Sequence, residues 1–273
     1  MNKLSHTPAM LERRPVSPRI GCAGWAIPRD DSERFPRDGS HLERYAKVFN
    51  AVEVNSSFYR THLPRTYARW AASVSEDFRF SVKFPRSITH DARLKDCGGL
   101  LEDFLGGVEM LGPRLGCLLL QLPPSLRWNA QAILSFLAQL RDMHRGPVVC
   151  EPRHLSWFQA EASQMLAAHH VSRVAADPAT CARARVPAGD QTLQYLRLHG
   201  SPRMYRDSYA ESDITWIASR LRRTPARTVE RWCIFDNTAH GHAVPNALAL
   251  MDQLDSHPAF TCPRQHPPHS VDR

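Results

Sequence analysis

The sequence predicts an α/β protein that folds as a single (β/α)8 barrel, the TIM-barrel architecture, with an irregular sixth βα unit. Short apolar runs alternate with amphipathic segments from Ile20 onward, which is typical of βαβ units in a parallel sheet. Eight such units within about 240 residues suit this barrel, whereas a doubly wound sheet usually has fewer strands or a longer chain. The chain has 273 residues, 42% of them hydrophobic, which is enough apolar surface for such a core.

The predicted strands are short apolar runs bounded by polar or turn-forming residues, and the predicted helices have apolar residues at helical spacing. Pro64 and Pro245 each favour the first turn of a helix. Between Asp177 and Leu193 no clear helical pattern occurs, so only a short or distorted sixth helix fits there. In chain order, the strands are 20–25, 51–55, 78–84, 116–122, 148–151, 173–177, 193–199 and 231–237. The helices are 41–49, 64–74, 100–111, 129–140, 161–170, 211–221 and 245–254.

The formal charge of +8 says little about partners, because half of it comes from the two ends of the chain. Both ends are rich in Pro, His and Arg and lack apolar periodicity. We therefore predict disordered tails at 1–18 and 256–273 around one domain at 19–255.

The seven cysteines are an odd number and lie mostly inside apolar runs, which is typical of reduced cytosolic thiols rather than of a disulfide framework. Residues 1–19 lack the apolar stretch of a secretory signal. No apolar run approaches the ~18 residues that span a bilayer. We therefore expect a cytoplasmic protein without a membrane partner; these patterns do not determine its oligomeric state.

Polar residues at the ends of the apolar runs recur at positions two apart, and alternate residues of a strand share a face. On the eighth strand, either Asp236 or Asn237 can face inward. Because TIM-barrel sites lie at the mouth formed by the C-terminal ends of the strands, we predict the site there. The polar residues predicted to face the interior are Glu53, Asn55, Lys83, Gln121, Glu151, Arg153, Asp177, Arg197 and His199. Their apolar neighbours, predicted to face the helices, are Val52, Val54, Val82, Leu120, Leu122, Val174, Leu196 and Leu198.

Five of these polar residues form the predicted catalytic set. Glu151 or Asp177 paired with His199 can move protons at physiological pH, because burial or a nearby Arg shifts the pKa of a carboxylate and an imidazole titrates near neutral pH. The simplest role of Lys83 is a salt bridge with Glu53, and a Schiff base is its alternative role. The predicted substrate-binding residues are Asn55, Tyr59, His90, Gln121, Arg153, Trp157, Arg197, Tyr205, Asp236 and Asn237.

The mixture of cations and carboxylates predicts an enzyme that acts on a small polar, anionic or sugar-like substrate, as a hydrolase, lyase or isomerase. This chemistry requires no cofactor. As an alternative, a divalent metal would be bound by Glu53, Glu151, Asp177 and His199. Against a metal, the nearby Lys and Arg side chains would crowd a cation in the same mouth.

Eight segments together resemble the YecE-like family, also called DUF72. They occur in the family's order and cover nearly all of 20–254. The matching patterns are GxxGW (21–25), FNxVExNSxFY (49–59), FxxKxPxxxTH (80–90), QLPPS (121–125), ExRHxSW (151–157), RLHG (197–200), FxNT (235–238) and NA (246–247). The resemblance implies a TIM barrel and leaves the reaction open. At the eighth strand the family usually has FNNT, so Asp236 is a carboxylate where an amide is expected.

Two other classes of function compete with an enzyme. A pI near 9.4 and a basic stretch suggest a protein that binds or processes nucleic acid. The stretch consists of Arg220, Arg222, Arg223, Arg227 and Arg231, on a connection predicted to lie at the face opposite the site. The remaining alternative is a ligand sensor without catalytic activity on the same scaffold.

Overall fold

The structure, a computed structural model, describes residues 17–223 and 229–256 and has an α/β fold of largely parallel sheets and helices. The strands are β1 (Arg19–Cys22), β2 (Ala51–Val54), β3 (Arg79–Lys83), β4 (Leu115–Gln121), β5 (Val148–Glu151), β6 (Val171–Arg173), β7 (Ala175–Asp177), β8 (Ala188–Gly189), β9 (Leu193–Leu198) and β10 (Glu230–Phe235). The helices are α1 (His41–Ala46), α2 (Pro64–Ala72), α3 (Gly98–Val108), α4 (Ala130–Met143), α5 (Ala160–Ala168), α6 (Glu211–Arg223) and α7 (Ala243–Ser256). The predicted α/β class is confirmed.

The strands pair as two sheets, where the sequence predicted one closed sheet. The first sheet has the order β1-β10-β9-β7, and the second has the order β2-β3-β4-β5-β6-β8. Neighbouring strands are parallel except β6 and β8, which are antiparallel. The carboxyl ends of parallel neighbours therefore lie along one edge, which we call the carboxyl edge.

Two contacts join the edges of the sheets. Ala23 and Glu53 form a parallel bridge beside β1 and β2. On the other side, β6 and β7 are one continuous segment interrupted only at Val174, which hydrogen-bonds to Cys150 O over 2.9 Å. This segment passes from the second sheet to the first, which is why the single strand predicted at 173–177 is split.

Tyr45 on α1 holds β1 close to β2. Its hydroxyl accepts from Cys22 N over 2.7 Å and donates to Ala51 O over 3.1 Å. A side chain at Gly21 would place its Cβ 2.0 Å from Ala51 O, so only glycine permits this approach. Helix α1 begins at a capping box between Ser40 and Glu43, which fixes where Tyr45 lies.

The sixth βα unit is irregular, as predicted. Between β7 and β9 the chain forms one short turn, Ala182–Arg185, and the two-residue strand β8. No helix of this unit covers the outer face of β7 and β9, and a cavity of about 170 Å³ remains there, lined in part by Asp177, Tyr209 and Trp216. Residues 1–16 and 257–273 of the predicted tails lie outside the described residues.

The core has two layers that follow strand alternation. The larger layer packs between the strands and the helices, and the seven predicted valines and leucines other than Val174 belong to it. Val174 belongs instead to the smaller inner layer, so its predicted orientation is wrong. The inner layer consists of Ala51, Cys117, Leu119, Val149, Val174, Leu193, Tyr195, Trp232 and Ile234. Among the described residues, no helix has the length and apolar character that a bilayer span requires.

Candidate active site at the carboxyl edge

Six charged or titratable side chains meet beyond the inner layer, at the carboxyl edge. Each lies at or just after the end of a strand, because the alternation that buries the inner apolar residues also turns these residues inward. We call this group the inner network; it consists of Glu53, Glu151, Arg153, Arg197, His199 and Asp236.

Arg197 is the centre of the inner network and is 1% exposed. Its guanidinium contacts Glu53 (Nη2 to Oε1, 2.6 Å), Glu151 (Nη1 to Oε2, 2.9 Å) and Asp236 (Nη2 to Oδ2, 2.9 Å). Burial alone would lower the pKa of Arg197, but Asp236, Glu53 and Glu151 outweigh burial and hold that pKa well above its usual value. Three buried carboxylates therefore share one planar cation.

Both carboxylate oxygens of Glu53 accept hydrogen bonds. Tyr195 donates to its Oε2 over 2.8 Å, and Ser81 Oγ lies 3.0 Å from the same phenol oxygen. Burial and the neighbouring Glu53 raise the pKa of Tyr195, which keeps the phenol a donor. The predicted salt bridge between Glu53 and Lys83 is wrong, because Arg197 takes both oxygens of Glu53.

His199 is completely buried, and each of its ring nitrogens faces a carboxylate. Nδ1 lies 3.0 Å from Asp236 Oδ2, and Nε2 lies 2.9 Å from Glu151 Oε1. Arg153 Nη2 lies 2.7 Å from both His199 Nε2 and Glu151 Oε1. The predicted pair of Glu151 and His199 is thus in contact, but no face of the imidazole is open to a ligand.

The carboxyl of Glu151 stays ionised despite its burial. Burial would raise its pKa, but Arg153, Arg197 and His199 together hold it well below its usual range. The same balance applies to Asp236. Burial would raise its pKa, but Arg197, His199 and Lys83 outweigh burial, and the pKa lies below its ordinary value. Both carboxylates are therefore fixed anions rather than groups poised to exchange protons near neutral pH.

Asp177 lies apart from the inner network, so its predicted inward orientation is wrong. In the parallel pairing of β7 with β9, Ala176 pairs with Arg197 and Asp177 pairs with Leu198, which faces the helices. The Asp177 carboxylate instead accepts from the Tyr209 hydroxyl over 3.0 Å.

Asp236 faces the site and Asn237 does not, which answers the question left open by the sequence. Trp232 and Ile234 belong to the inner layer, so alternation turns Asp236 inward as well. Asn55 donates to Asp236 Oδ1 over 3.3 Å. Asn237 points the other way and donates to Asp207 O and to Asn246 Oδ1.

Lys83 lies above the inner network and is 9% exposed. Its Nζ is 4.2 Å from the centre of the Phe58 ring, and no carboxylate oxygen of a described residue lies within 4.0 Å of it. Burial and Arg197 lower the pKa of Lys83 to about 8, although Glu53, Asp236 and Glu151 oppose this. An amine with this pKa can gain or lose a proton near neutral pH.

His90 shares the Phe58 ring with Lys83, at 4.9 Å between ring centres. The Thr89 hydroxyl donates to Pro85 O over 3.1 Å, so it accepts from His90 Nδ1 at 2.8 Å. This arrangement puts the ring proton on Nδ1 and leaves Nε2 as the acceptor. Burial, Lys83 and Arg86 lower the pKa of His90, which favours this neutral form.

We expect acylation of Lys83 to report its lowered pKa. Its labelling rate by acetic anhydride, measured by peptide mass spectrometry, should rise with pH and reach half of its maximum near pH 8. The Lys83→Arg variant, which keeps the charge but not the amine, is the control for peptide assignment. A half-maximum near 10.5, the ordinary lysine value, would contradict the environment described.

The remaining predicted residues have different placements. Tyr205 is 43% exposed, and its ring stands edge-on to His199 at 5.3 Å, so it covers the inner network. Tyr59 is 82% exposed beside Phe58. Gln121 is half-buried, with its amide donating to Leu122 O. Trp157 is buried and donates to Leu126 O, so it packs beneath loops and does not reach the site.

Sequence reasoning missed Phe58, Ser81, Thr89 and Tyr195. A signal existed for Tyr195, which lies two residues before Arg197 and therefore on the same face of β9. Thr89 and Phe58 lie in short helical turns after β3 and β2, where no strand parity applies.

The alternative metal set is not assembled, because Asp177 lies on the other face and Glu53 is taken by Arg197. Within 17–223 and 229–256, no group of three or more His, Cys, Asp or Glu side chains is arranged to hold a metal ion. In the basic stretch, Arg231 is buried and donates to Leu221 O, while Arg227 lies outside the described residues. This stretch is therefore not a continuous open basic face.

Comparisons with known proteins identify relatives along most of the chain. The UPF0759 protein YunF of Bacillus subtilis is 23% identical over 278 residues, which cover 90% of this chain and 98% of YunF. The UPF0759 protein YecE of Escherichia coli K12 is 40% identical over 105 residues. That match covers 38% of this chain and 37% of YecE, so it spans little more than a third of that relative.

Solved structures share the fold. A DUF72 family protein of Thermotoga maritima has a TM-score of 0.71 at 23% identity, over 86% of this chain and 98% of that one. A DUF72 family protein of Enterococcus faecalis has a TM-score of 0.71 at 19% identity, over 93% and 100%. The family model DUF72, described as a protein of unknown function, matches residues 19–270. The chain therefore belongs to the DUF72 family.

Proposed function

We propose that this protein is an enzyme that acts by acid/base chemistry on a small anionic or sugar-like substrate at the carboxyl edge. The observation that carries this proposal is the position of Lys83. The residue is nine-tenths buried, and the described residues offer its ammonium no carboxylate within 4.0 Å. A buried cation without a partner is costly, so an anionic ligand is the natural counter-charge.

The charges at the opening support the same ligand class. The three carboxylates of the inner network are already in contact with Arg197 or Arg153, and two of them also face the ring nitrogens of His199. Arg153, whose side chain is 9% exposed, lies at the outer side of that network and can bind a carboxylate or phosphate through two donors. The half-buried amides of Asn55 and Gln121 can bind hydroxyl groups of the same ligand.

We assign the proton transfers to Lys83 and His90, because the pKa of Lys83 is lowered to about 8, the neutral His90 ring offers an acceptor nitrogen, and both side chains flank the Phe58 ring. In this proposal Glu151, Asp236 and His199 orient Arg153 and Arg197 and do not touch the substrate. This differs from the pair of Glu151 and His199 that the sequence predicts, and the complete burial of His199 is the reason.

The proposal also includes the architecture and the location. The bridge between Ala23 and Glu53 and the continuous segment of β6 and β7 support one eight-stranded barrel at 19–255 whose mouth is the carboxyl edge. Six described cysteines are unpaired, which supports a cytoplasmic location.

Two measurements test the enzyme. First, we expect phosphate, citrate or gluconate to raise the melting temperature of the wild type. Second, we expect the wild type to exchange a substrate C–H with D₂O, which proton NMR detects across a panel of sugar acids and keto acids. Lys83→Met should lose both responses, with exchange slowed by about 10²-fold or more. Lys95→Met, at an exposed lysine, is the matched control and should keep both.

Stabilisation by these anions without exchange in any member of the panel would contradict the enzyme and support the ligand sensor. The absence of both stabilisation and exchange would overturn the proposed site.

A further inference from the structure

We propose that Lys83 is a covalent nucleophile, and that the substrate is a small anion with an aldehyde or ketone group, which condenses with Nζ to form a Schiff base. This inference rests on the proposed function and names the substrate class of the same site. It assigns to Lys83 a role beyond that of a counter-charge.

The surroundings of Lys83 differ from those of a structural lysine. A buried lysine that stabilises a fold normally donates to a carboxylate or a carbonyl. Within the described chain, Nζ makes no hydrogen bond or ion pair and lies over the face of the Phe58 ring, 4.2 Å from its centre. The amine is thus held in a defined place while its donors stay available.

The residue type itself is informative. Of the 35 basic residues in the chain, only four are lysines, namely Lys3, Lys47, Lys83 and Lys95. Arginine supplies the positive charge nearly everywhere, including the neighbouring Arg153 and Arg197. Arginine stays protonated and cannot attack a carbonyl, whereas a lysine with a lowered pKa can. At a pKa of about 8, roughly a tenth of the Lys83 amine is neutral at pH 7.

His90 provides the proton transfers that condensation needs. Its Nδ1 proton is committed to Thr89, so the lone pair of Nε2 is free to accept a proton. The imidazole and the Lys83 amine both approach the Phe58 ring, and the Lys83 charge lowers the pKa of His90, so base and nucleophile lie in the same part of the site. Thr89 is a positioning residue in this scheme, because it acts only through the tautomer of His90.

The reaction balances without an oxidant, a reductant or a metal. The neutral amine attacks the carbonyl carbon, a C–N bond forms, and the C=O π electrons move to oxygen, which takes up a proton. His90 accepts the proton lost by nitrogen and returns it to the hydroxyl group, which leaves as water while the C=N bond forms. The resulting iminium can accept the electron pair of a neighbouring C–H or C–C bond, and Arg153 holds the anionic group.

Reductive trapping tests the inference directly. Wild-type protein is incubated with pyruvate, glyoxylate or glyceraldehyde 3-phosphate, reduced with sodium borohydride, digested and examined by mass spectrometry. We expect a reduced adduct on Lys83 at least 10-fold above that on Lys47 and Lys95, which are internal controls. The Lys83→Arg variant, checked for folding by circular dichroism, should show no adduct in this peptide.

His90→Gln provides a second arm that does not remove the nucleophile. We expect adduct formation at pH 7 to slow by about 10²-fold, because the proton acceptor is lost. We expect Thr89→Val to slow adduct formation less than His90→Gln does. If the slowing disappears at high pH, its cause is a lost proton transfer rather than a distorted fold.

The outcomes distinguish the two proposals. Equal labelling of Lys83, Lys47 and Lys95, or no adduct with any of the three carbonyl anions, would overturn the Schiff base. If C–H exchange with D₂O persists in that case, the acid/base enzyme stands and only the covalent step fails. If exchange and trapping both fail, both proposals fall.

Discussion

Replacing Arg197 with methionine is expected to lower the free energy of unfolding by about 3–5 kcal/mol, the usual range when one partner of a buried ion pair is removed. The substitution leaves Glu53, Glu151 and Asp236 without their shared cation, and all three are nearly or fully buried. Urea denaturation followed by circular dichroism measures this loss at pH 7. A midpoint shifted by the full amount would show that the three buried carboxylates depend on Arg197.

Arg203→Met is the matched control. The side chain of Arg203 is 74% exposed and pairs with Asp207 in an i,i+4 surface bridge. We expect that variant to stay within about 0.5 kcal/mol of the wild type, as is usual for surface changes. Similar losses in the two variants would show that the buried carboxylates do not depend on Arg197.

Stability is expected to fall steeply in acid, and Glu151 should account for part of the fall. The folded pKa values of Glu151 and Asp236 lie below their ordinary values of 4.5 and 3.8. The unfolded chain therefore binds more protons than the folded chain in this range. The stabilisation is complete above about pH 5 and is lost as pH drops through the folded pKa values. Each tenfold difference in proton affinity between the folded and unfolded chains is worth about 1.4 kcal/mol.

His144 changes the free energy of unfolding over a different pH range, so its effect must be separated from that of Glu151. Burial and Arg141 lower its pKa to about 4 from 6.5, so it destabilises the folded state progressively between those values. We expect His144→Gln to reduce the pH dependence of the free energy of unfolding between about pH 6.5 and 4.5. We expect Glu151→Gln to reduce the slope only below about pH 5, measured by urea denaturation from pH 7 to 3. An unchanged acid slope in Glu151→Gln would contradict a lowered pKa of that carboxyl.

These expectations change how substitutions at His199 should be interpreted. Because both ring nitrogens face buried carboxylates, His199→Ala removes part of the ion network and leaves a cavity. Loss of activity in that variant would therefore not identify a catalytic histidine. His90, which is half-buried and contacts Phe58 and Thr89, is the more informative position.

The alternation of side chains between the two faces of a strand correctly predicted that most residues of the inner network point inward. Glu53, Glu151, Arg197 and His199 meet because apolar and polar residues alternate along strands whose carboxyl ends share an edge. The same reasoning failed at Asp177, where the chain passes between sheets at Val174 and the pairing of β7 with β9 sets the orientation. Parity within one strand carries no information about a break of that kind.

The sequence by itself determined the alternation of strands and helices, the irregular sixth unit and most of the inward polar residues, with Asp177 as the exception, because these follow from local periodicity. Only the tertiary structure decided which charges pair. Arg197 reaches three carboxylates from three other strands, and this leaves Lys83 with the Phe58 ring and His90 rather than with Glu53. The physical reason is that ion pairing and pKa values depend on distances of a few ångströms between residues far apart in the chain, and the pattern within any one strand does not contain those distances.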